Sequence, residues 1–222
     1  MSQLQTSNLE LVINGDITEK SFMYNFLKRT IDIAGALAGL VILSPVFIVI
    51  ALLIKIDSKG PVFFGHKRLG YNGKLIKVYK FRSMVINAEE LLNNLSPEQK
   101  SEFEKNFKLE NDPRVTRVGD VLRRTSLDEL PQLVNILKGE LTIVGPRPIV
   151  EKEIKLYGEY GKKLLSVKPG LTGNWQANGR SDTTYEERVK LDMDYIDNRT
   201  IWMDIMIILK TVVVVLKGKG AR

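Results

Sequence analysis

The chain has 222 residues, a length that suits one substantial domain. Its 33 Lys and Arg outnumber 26 Asp and Glu, and the resulting formal +7 suits an anionic partner, nucleic acid or lipid alike. With no cysteine and a single histidine, His66, the composition excludes disulfides, cysteine nucleophiles, thiolate metal sites and any site with two histidine ligands from one chain. Strong catalysis is left to carboxylates, arginines or an oxygen-bound metal.

The first 20 residues read as a peripheral extension. Although the mean hydropathy of −0.08 is that of a soluble protein, Ile33 to Ile54 is an uninterrupted run of 22 uncharged residues. That length reaches the roughly 20 apolar residues a membrane span requires. Its distance from the N-terminus and its Ala/Gly-rich start argue against a removable signal peptide. Ser44-Pro45 interrupts the run: proline lacks an N–H and clashes with the preceding turn, and the Ser44 hydroxyl can bond a freed carbonyl. The helical stretches on either side each have a rise near half a bilayer. Basic residues flank both ends, with Lys20, Lys28 and Arg29 before and Lys55, Lys59, Lys67, Arg68, Lys74, Lys77, Lys80 and Arg82 after. A straight crossing would place positive clusters on both sides, whereas a helix that enters and returns to one face satisfies the charge bias. A re-entrant segment is therefore the preferred reading, ahead of a kinked crossing and a buried soluble helix. Gly35-x-x-x-Gly39 permits close helix packing without implying dimerisation.

Beyond the membrane segment, Lys59-Gly60-Pro61 marks a turn and Val62-Phe63-Phe64 opens a strand. Gly70, Gly73 and the basic residues between Lys67 and Arg82 suggest a tight hairpin near an anionic surface, or simply a solvated charge run. Met84 to Leu95 fits a short helix. Ser96-Pro97-Glu98-Gln99 combines an N-cap, a proline at the first helical position and Gln at the third, predicting a helix through about Phe107.

The stretch from Asn111 to Pro148 is the densest in chemistry. Arg114, Arg117, Arg123, Arg124 and Arg147 can gather phosphate oxygens if their turns converge. Asp128 and Glu129 precede Leu130, Leu133, Val134 and Leu137, the packed face of a helix with Pro131 in its first turn, so Asp128 is expected at the N-cap or first position. Two readings stand side by side: Asp128 caps the helix and Glu129 favours its dipole, or the pair faces a phosphorylated substrate and a divalent cation, with Asp128 able to attack phosphorus. Gly139 suits the helix exit. Leu141 to Val144 is a short strand entering the rigid Gly145-Pro146-Arg147-Pro148 turn, which can hold Arg147 toward a ligand. Lys168 to Gln176 and Gly179-Arg180-Ser181 combine turn formers with Trp175, either a nucleotide or sugar wall or a core or interface anchor. Ser181 to Glu187 supplies caps for a charged helix ending near Asn198. From Ile201 to Leu216 the chain is mostly apolar, with Asp197, Asp204 and Thr211 seven residues apart, which favours an interfacial or domain-packed helix over a second crossing. The β-branched Val212 to Val215 leaves a short buried strand as the alternative.

In this order the motifs Lys28-Arg29-x-x-Asp32, Leu43-Ser44-Pro45, Gly60-Pro61-Val62-Phe63-Phe64, Tyr79-Lys80-Phe81-Arg82-Ser83-Met84, Asn111-Asp112-Pro113-Arg114-Val115-Thr116, Arg124-Thr125-Ser126-Leu127-Asp128-Glu129-Leu130-Pro131-Gln132, Gly145-Pro146-Arg147-Pro148 and Pro169-Gly170-Leu171-Thr172-Gly173 closely resemble those of the bacterial sugar transferase family, the monotopic polyprenyl-phosphate phosphoglycosyl transferases. The likeness covers about Lys28 to Leu216. It implies a fold of α/β class, mostly helical with short strands, divided into an extension over 1–27, a re-entrant helix-break-helix over 28–58 turned at Ser44 and Pro45, a cytosolic catalytic body over 59–200 and an interfacial helix and tail over 201–222. It also implies transfer of a sugar-1-phosphate from a UDP-sugar to undecaprenyl or another polyprenyl phosphate, releasing UMP, at the cytoplasmic face of the bacterial inner membrane, as the first step of exopolysaccharide, capsule, O-antigen or glycoconjugate synthesis.

In that family picture Asp128 attacks the sugar-bearing phosphate, Mg²⁺ (or Mn²⁺) sits by Asp128 with Glu129 assisting, Arg123 orients Glu129, Arg147 contacts phosphate or nucleotide, and Arg114 and Arg117 are electrostatic neighbours. An anionic membrane is an expected partner, with a homodimer or polysaccharide-pathway proteins as further candidates and no nucleic acid expected. Three positions depart from the family pattern: His66 where glutamine is common, Asp120 where a base is frequent, and Asn174 where an apolar residue is usual. His66 is expected to be a polar wall or structural residue. Larger relatives carry an extra multi-helix membrane region, and this chain resembles the small form. A noncatalytic membrane scaffold and a nucleotide-sugar hydrolase are the competing readings. The sugar itself, galactose, glucose or an acetylated amino sugar, is open.

Overall fold

The architecture starts from the broken apolar helix. In the computed structural model, which describes residues 20–106, 109, 112–179 and 183–216, α1 (Phe22–Ile42) and α2 (Ser44–Asp57) meet at Leu43 with a bend of 60°. Ser21 caps α1, its hydroxyl accepting from the Tyr24 N–H at 3.3 Å. Proline at the head of α2 has no N–H to continue the ladder, and the Ser44 hydroxyl donates to Val41 O at 2.8 Å, so the break is chemically satisfied. Among the described residues no single helix is long and apolar enough to cross a membrane, while the bent pair together has the length and composition to do so. Residues 1–19 of the extension expected over 1–27, the Arg180-Ser181 part of the aromatic loop and the tail over 217–222 lie outside the described residues.

α1 begins six residues before the expected boundary at 28, so Lys28 and Arg29, read as flanking charges, lie within the helix together with Asp32. They tie it to the body. Asp32 is buried and accepts from Thr142 Oγ1 (2.9 and 2.7 Å) and from the Ile143 N–H (2.8 Å). Lys28 Nζ donates to Val144 O at 2.9 Å and pairs with Asp204 at 2.7 Å. The Arg29 guanidinium donates to Ile136 O (2.7 Å) and Leu137 O (2.9 Å), carbonyls in the last turn of a body helix. Gly35 and Gly39 face the same body: a Cβ would meet Ile143 Cδ1 at 2.8 Å and Leu133 Cδ1 at 3.1 Å. This GxxxG pair admits the body against α1.

The far end of α2 is held by the body as well. Asp57 accepts from the Val118 N–H at 3.2 Å, and one guanidinium, Arg82, donates to Ser58 O, Lys59 O and Pro61 O at 2.8, 2.8 and 2.6 Å. Both limbs of the bent pair therefore start and finish against one body. Their outer faces leave Leu37, Val41, Ile42, Ile48 and Leu52 exposed, while Ala36, Ile50 and Ile54 point inward.

The body carries two small sheets. β1 (Phe63–Leu69) and β2 (Leu75–Phe81) form the expected antiparallel hairpin, with Asn72 and Gly73 at positive φ in its turn. β3 (Thr142–Val144) pairs in parallel with β4 (Gly170–Thr172). Three clusters build the core: Ile50, Ile54, Phe81 and Leu122 under α2; Ala36, Val78, Leu133, Ile136 and Leu141 under α1; and a larger group with Val144, Tyr157, Tyr195, Ile196 and Ile207.

The remaining helices are α3 (Ala88–Asn93), α4 (Pro97–Asn106), α5 (Arg117–Arg124), α6 (Gln132–Lys138), α7 (Gly161–Leu165), α8 (Asn174–Asn178), α9 (Tyr185–Asn198) and α10 (Ile201–Leu216). α3 is shorter than the expected Met84 to Leu95 because Met84 pairs with Val115 in an antiparallel bridge and Val85 N–H donates to Arg114 O. The caps read from sequence form: Ser96 and Gln99 bond reciprocally at 3.2 Å, and Thr184 with Glu187 completes a capping box on α9. Gly139 ends α6 at φ 79°. Val212 to Val215 are helical, which removes the strand alternative. The seven-residue polar spacing of α10 faces inward: Asp204 meets Lys28 and Tyr195, and Thr211 meets Thr172 at 2.7 Å. Trp202, Ile205, Met206, Leu209, Val212 and Val213 are left on the outer face.

Candidate active site

Ser126, in the left-handed region at φ 56°, turns the chain from α5 into a 3₁₀ turn, Leu127–Glu129, that runs through Leu130 and Pro131 into α6. Asp128 thus lies within the 3₁₀ turn, and the α-helix starts four residues later, which corrects the expected N-cap position. The displacement has a steric origin: proline tolerates a helical φ but offers no N–H, so regular α-type bonding begins only after Pro131. Leu127 and Leu130 pack into the cluster under α2, whereas Leu133 and Ile136 pack against α1. The acidic pair consequently sits on a turn that packs under α2 and leads directly into the helix packed on α1.

Lys80, next to last in β2, reaches the pair. Its Nζ lies 2.7 Å from Glu129 Oε1 and 3.3 Å from Asp128 Oδ2. Arg147, on the Gly-Pro-Arg-Pro turn after β3, donates to the same Glu129 Oε1 at 3.3 Å. Burial pushes the Asp128 carboxyl above the usual carboxylate range; Lys80 opposes that shift and the Glu129 charge adds to it. Lys80→Met should therefore move the Asp128 titration to still higher pH, read as a shift of the acidic limb in a ¹³C NMR titration of the Asp128 carboxyl. An unshifted limb would remove Lys80 from the electrostatics of Asp128.

The segment from Lys80 to Ser83 feeds four environments in turn. Lys80 faces the carboxylates, Phe81 packs on Phe47 of α2 with ring centres 5.0 Å apart, Arg82 grips the end of α2, and Ser83 Oγ accepts from Arg123 Nε at 2.9 Å. Arg123 is held on Ser83 with Asp128 and Asp112 as its nearest opposing charges; burial lowers its pKa. Glu129 is oriented by Lys80 and Arg147. Arg114 is buried in a two-pronged pair with Asp112, at 2.7 Å for each prong, over the Phe103 ring. Arg117 is exposed at the first position of α5, and Arg124 forms an exposed pair with Asp120 at 2.8 Å. Of the five arginines singled out from sequence, Arg147 directly touches the acidic pair and Arg123 stands beside it.

A shallow, solvent-open cleft lies beside this group, lined by His66, Arg68, Lys80, Glu129, Gln132 and Arg147 among others. Lys80 and Arg68 are the site residues that motif reading passed over, treating them as part of a basic run. Strand alternation supplies the missing signal: in the β1–β2 register, Phe64 faces Lys80, His66 faces Val78 and Arg68 faces Ile76, which puts all six on one side of the hairpin. Trp175 is half-buried, its indole N–H donating to Thr183 at 2.6 Å and its face covered by Arg188 at 4.5 Å. It anchors a polar–aromatic core.

Among the described residues no group of three or more His, Asp or Glu converges as a metal cage. The donor set of Asp128 and Glu129 still fits Mg²⁺, which binds through one or two carboxylates and completes its shell with water and substrate phosphates.

The profile of the family described as Bacterial sugar transferase matches residues 23–218. The chain is 50% identical over 199 residues to the undecaprenyl-phosphate galactose phosphotransferase of Salmonella typhimurium, covering 88% of this chain and 42% of that protein. It is 45% identical to the UDP-galactose-lipid carrier transferase of Erwinia amylovora, again covering 88% and 42%. With the exopolysaccharide production protein ExoY of Rhizobium meliloti it shares 44% identity over 197 residues, covering 87% of each. The chain thus spans less than half of the first two relatives and most of the third.

Proposed function

The chain belongs to the bacterial sugar transferase family, and from that premise we propose that it transfers a sugar-1-phosphate from a UDP-sugar to a polyprenyl phosphate such as undecaprenyl phosphate, at the cytoplasmic face of a bacterial membrane. The names of the Salmonella and Erwinia relatives supply the lipid carrier and the nucleotide sugar, and that of ExoY the exopolysaccharide setting. The observation that carries the reading is the placement of Asp128: a buried carboxylate next to Glu129, which lines the cleft, paired with Lys80 and set on a turn that packs under α2 and leads into the helix packed on α1.

The reaction divides into two displacements at one phosphorus. An Asp128 oxygen attacks the sugar-bearing phosphorus of the UDP-sugar, a P–O bond to Asp128 forms, and the bond to the bridging oxygen breaks so that UMP leaves with that oxygen. A phosphate oxygen of the lipid then attacks the same phosphorus, and the Asp128 carboxylate is released as the polyprenyl-diphosphate sugar forms. Lys80 and Arg147 hold Glu129 and present positive charge where the phosphoryl oxygens gain negative charge. Mg²⁺, held by Asp128 with Glu129 beside it, would supply further neutralisation of phosphate charge when bound. Because Asp128 is largely desolvated, its carboxylate meets phosphorus without a full hydration shell.

The membrane reading rests on the way both ends of the bent pair return to one body, with the outer faces of α1, α2 and α10 apolar. A long lipid can then bring its phosphate to the cleft along the same interface. Because the chain has no cysteine, single cysteines at Asn25 and Lys59 provide a clean topology test. Both should react with a membrane-impermeant maleimide from the same face of inverted vesicles; labelling from opposite faces would make the pair a crossing.

For the reaction, purified protein with Mg²⁺ and a panel of UDP-sugars should release UMP only when polyprenyl phosphate is present. UMP and free sugar phosphate formed without lipid would indicate a hydrolase, and a folded protein inert across the panel would favour a scaffold.

A further inference from the structure

His66 is the only histidine in the chain. It stands on the cleft face of β1, two residues from Arg68, and lines the same cleft as Lys80, Glu129 and Arg147. Its Nδ1 lies 3.2 Å from Arg68 Nη2. A guanidinium carries five N–H donors and no acceptor, so this contact exists only if Nδ1 is the acceptor. In a neutral imidazole the proton then resides on Nε2, which points away from Arg68.

Arg68 is itself held in place. Its Nη1 meets Glu153 Oε1 at 3.3 Å, and Glu153 Oε2 lies 3.6 Å from Arg188. Arg188 is buried, with the rings of Trp175, Tyr185 and Tyr157 within 4.5, 5.1 and 5.8 Å. The aromatic core thus fixes Arg188, which holds Glu153, which in turn holds Arg68 against the imidazole.

We propose that His66 is a substrate-binding residue: Arg68 locks its neutral ring in the Nε2–H tautomer, and that N–H donates to a phosphate oxygen of the nucleotide sugar. The identity of the ligand rests on the transferase reading, whereas the tautomer rests on geometry alone. Neutrality agrees with the surroundings. The charged groups that line the same cleft are Arg68 on its own strand, Lys80 on β2, Glu129 on the 3₁₀ turn and Arg147 on the Gly-Pro-Arg-Pro turn. Burial, followed by the Arg68 and Lys80 charges, lowers the His66 pKa to about 4. A neutral donor held between cations adds direction to a site whose other positive groups act mainly through charge.

A lone histidine makes the test unambiguous. In full-length protein carrying ¹⁵N-histidine, long-range ¹H–¹⁵N correlations at pH 7 should show one neutral ring with the proton on Nε2, unchanged down to pH 5, and UDP should shift the Nε2 resonance. By calorimetry, His66→Phe should weaken UDP binding about tenfold or more, the scale of one hydrogen bond to a charged group. His66→Gln should restore it, because the amide can accept from Arg68 through its oxygen and donate through its nitrogen. An Nδ1–H ring or an imidazolium at pH 7 would overturn the proposal, as would a folded His66→Phe protein that binds UDP as tightly as the wild type. A wild type that shows the Nε2–H ring but binds no UDP would overturn the transferase reading and the phosphate assignment together, leaving the tautomer standing.

Discussion

Asp128→Asn should reduce sugar-phosphate transfer about 10⁴-fold or more, the order lost when a nucleophile is removed from a catalytic unit, and should yield no phosphosugar adduct. The same variant should unfold at a higher temperature than the wild type at pH 7. The sign follows from burial. A carboxyl whose folded-state pKa is raised binds its proton more tightly in the native than in the unfolded chain, so its ionisation subtracts stability as pH rises from the unfolded value through the folded one. Asparagine keeps the shape and avoids that loss, although Lys80 gives up one of its two carboxylate partners and retains Glu129. The thermal advantage of Asp128→Asn should shrink as pH falls through the raised folded-state value toward the ordinary carboxylate range, because the wild-type carboxyl then takes up its proton. A variant that is inactive and less stable at every pH would mean that the Lys80 pair outweighs the desolvation of Asp128. One that is fully active would move the nucleophile elsewhere.

How far the sequence spoke depended on the range of the interactions involved. The break at Ser44-Pro45, the Ser96 and Thr184 caps and the Gly139 exit were all legible because each is decided within about four residues by backbone chemistry. The hairpin was legible from its turn formers. Asp128 and Glu129 could be selected as candidates, but their partner could not: Lys80 lies 48 residues before Asp128 and is brought there by strand register. The same limit hid Arg68, whose meaning depends on Glu153, 85 residues away. Lys28 and Arg29 looked like flanking charges for the opposite reason. Position along the chain suggested a membrane boundary, whereas their actual partners are carbonyls of the body and, for Lys28, Asp204 as well. In α10 the polar spacing was visible, but which side it faces was decided by Lys28, Tyr195 and Thr172, all remote in sequence.

These long-range contacts mechanically join the membrane segment to the site. β3 receives Asp32 at Thr142 and Ile143, and two residues beyond it the chain enters the turn that carries Arg147. α1 also packs on α6, directly after the acidic turn. On the proposed membrane placement of α1, its depth and tilt would be passed to Arg147 and Asp128 through short, hydrogen-bonded segments. An enzyme whose one substrate is soluble and whose other is embedded gains from such a connection, because the reacting phosphorus must stay level with the lipid headgroups.

Asp32→Ala should test that connection most severely. It leaves the Thr142 hydroxyl and the Ile143 N–H buried without their acceptor, a loss of about 2–4 kcal/mol for the two groups together, while Lys28 and Arg29 continue to hold neighbouring turns of α1. Hydrogen exchange in detergent or nanodiscs should show reduced protection at Ile143 and in the following Gly-Pro-Arg-Pro turn, along with a lower unfolding temperature. Transfer activity should fall with it, chiefly through a raised KM for the UDP-sugar as Arg147 loses its fixed position. Asp32→Asn, which keeps one acceptor oxygen for two donors, should lie between the two. If Asp32→Ala retained wild-type protection at Ile143 and a wild-type KM, the buried carboxylate would be no more than a local helix contact, and the membrane segment would have to communicate with the site through α2 and Arg82 instead.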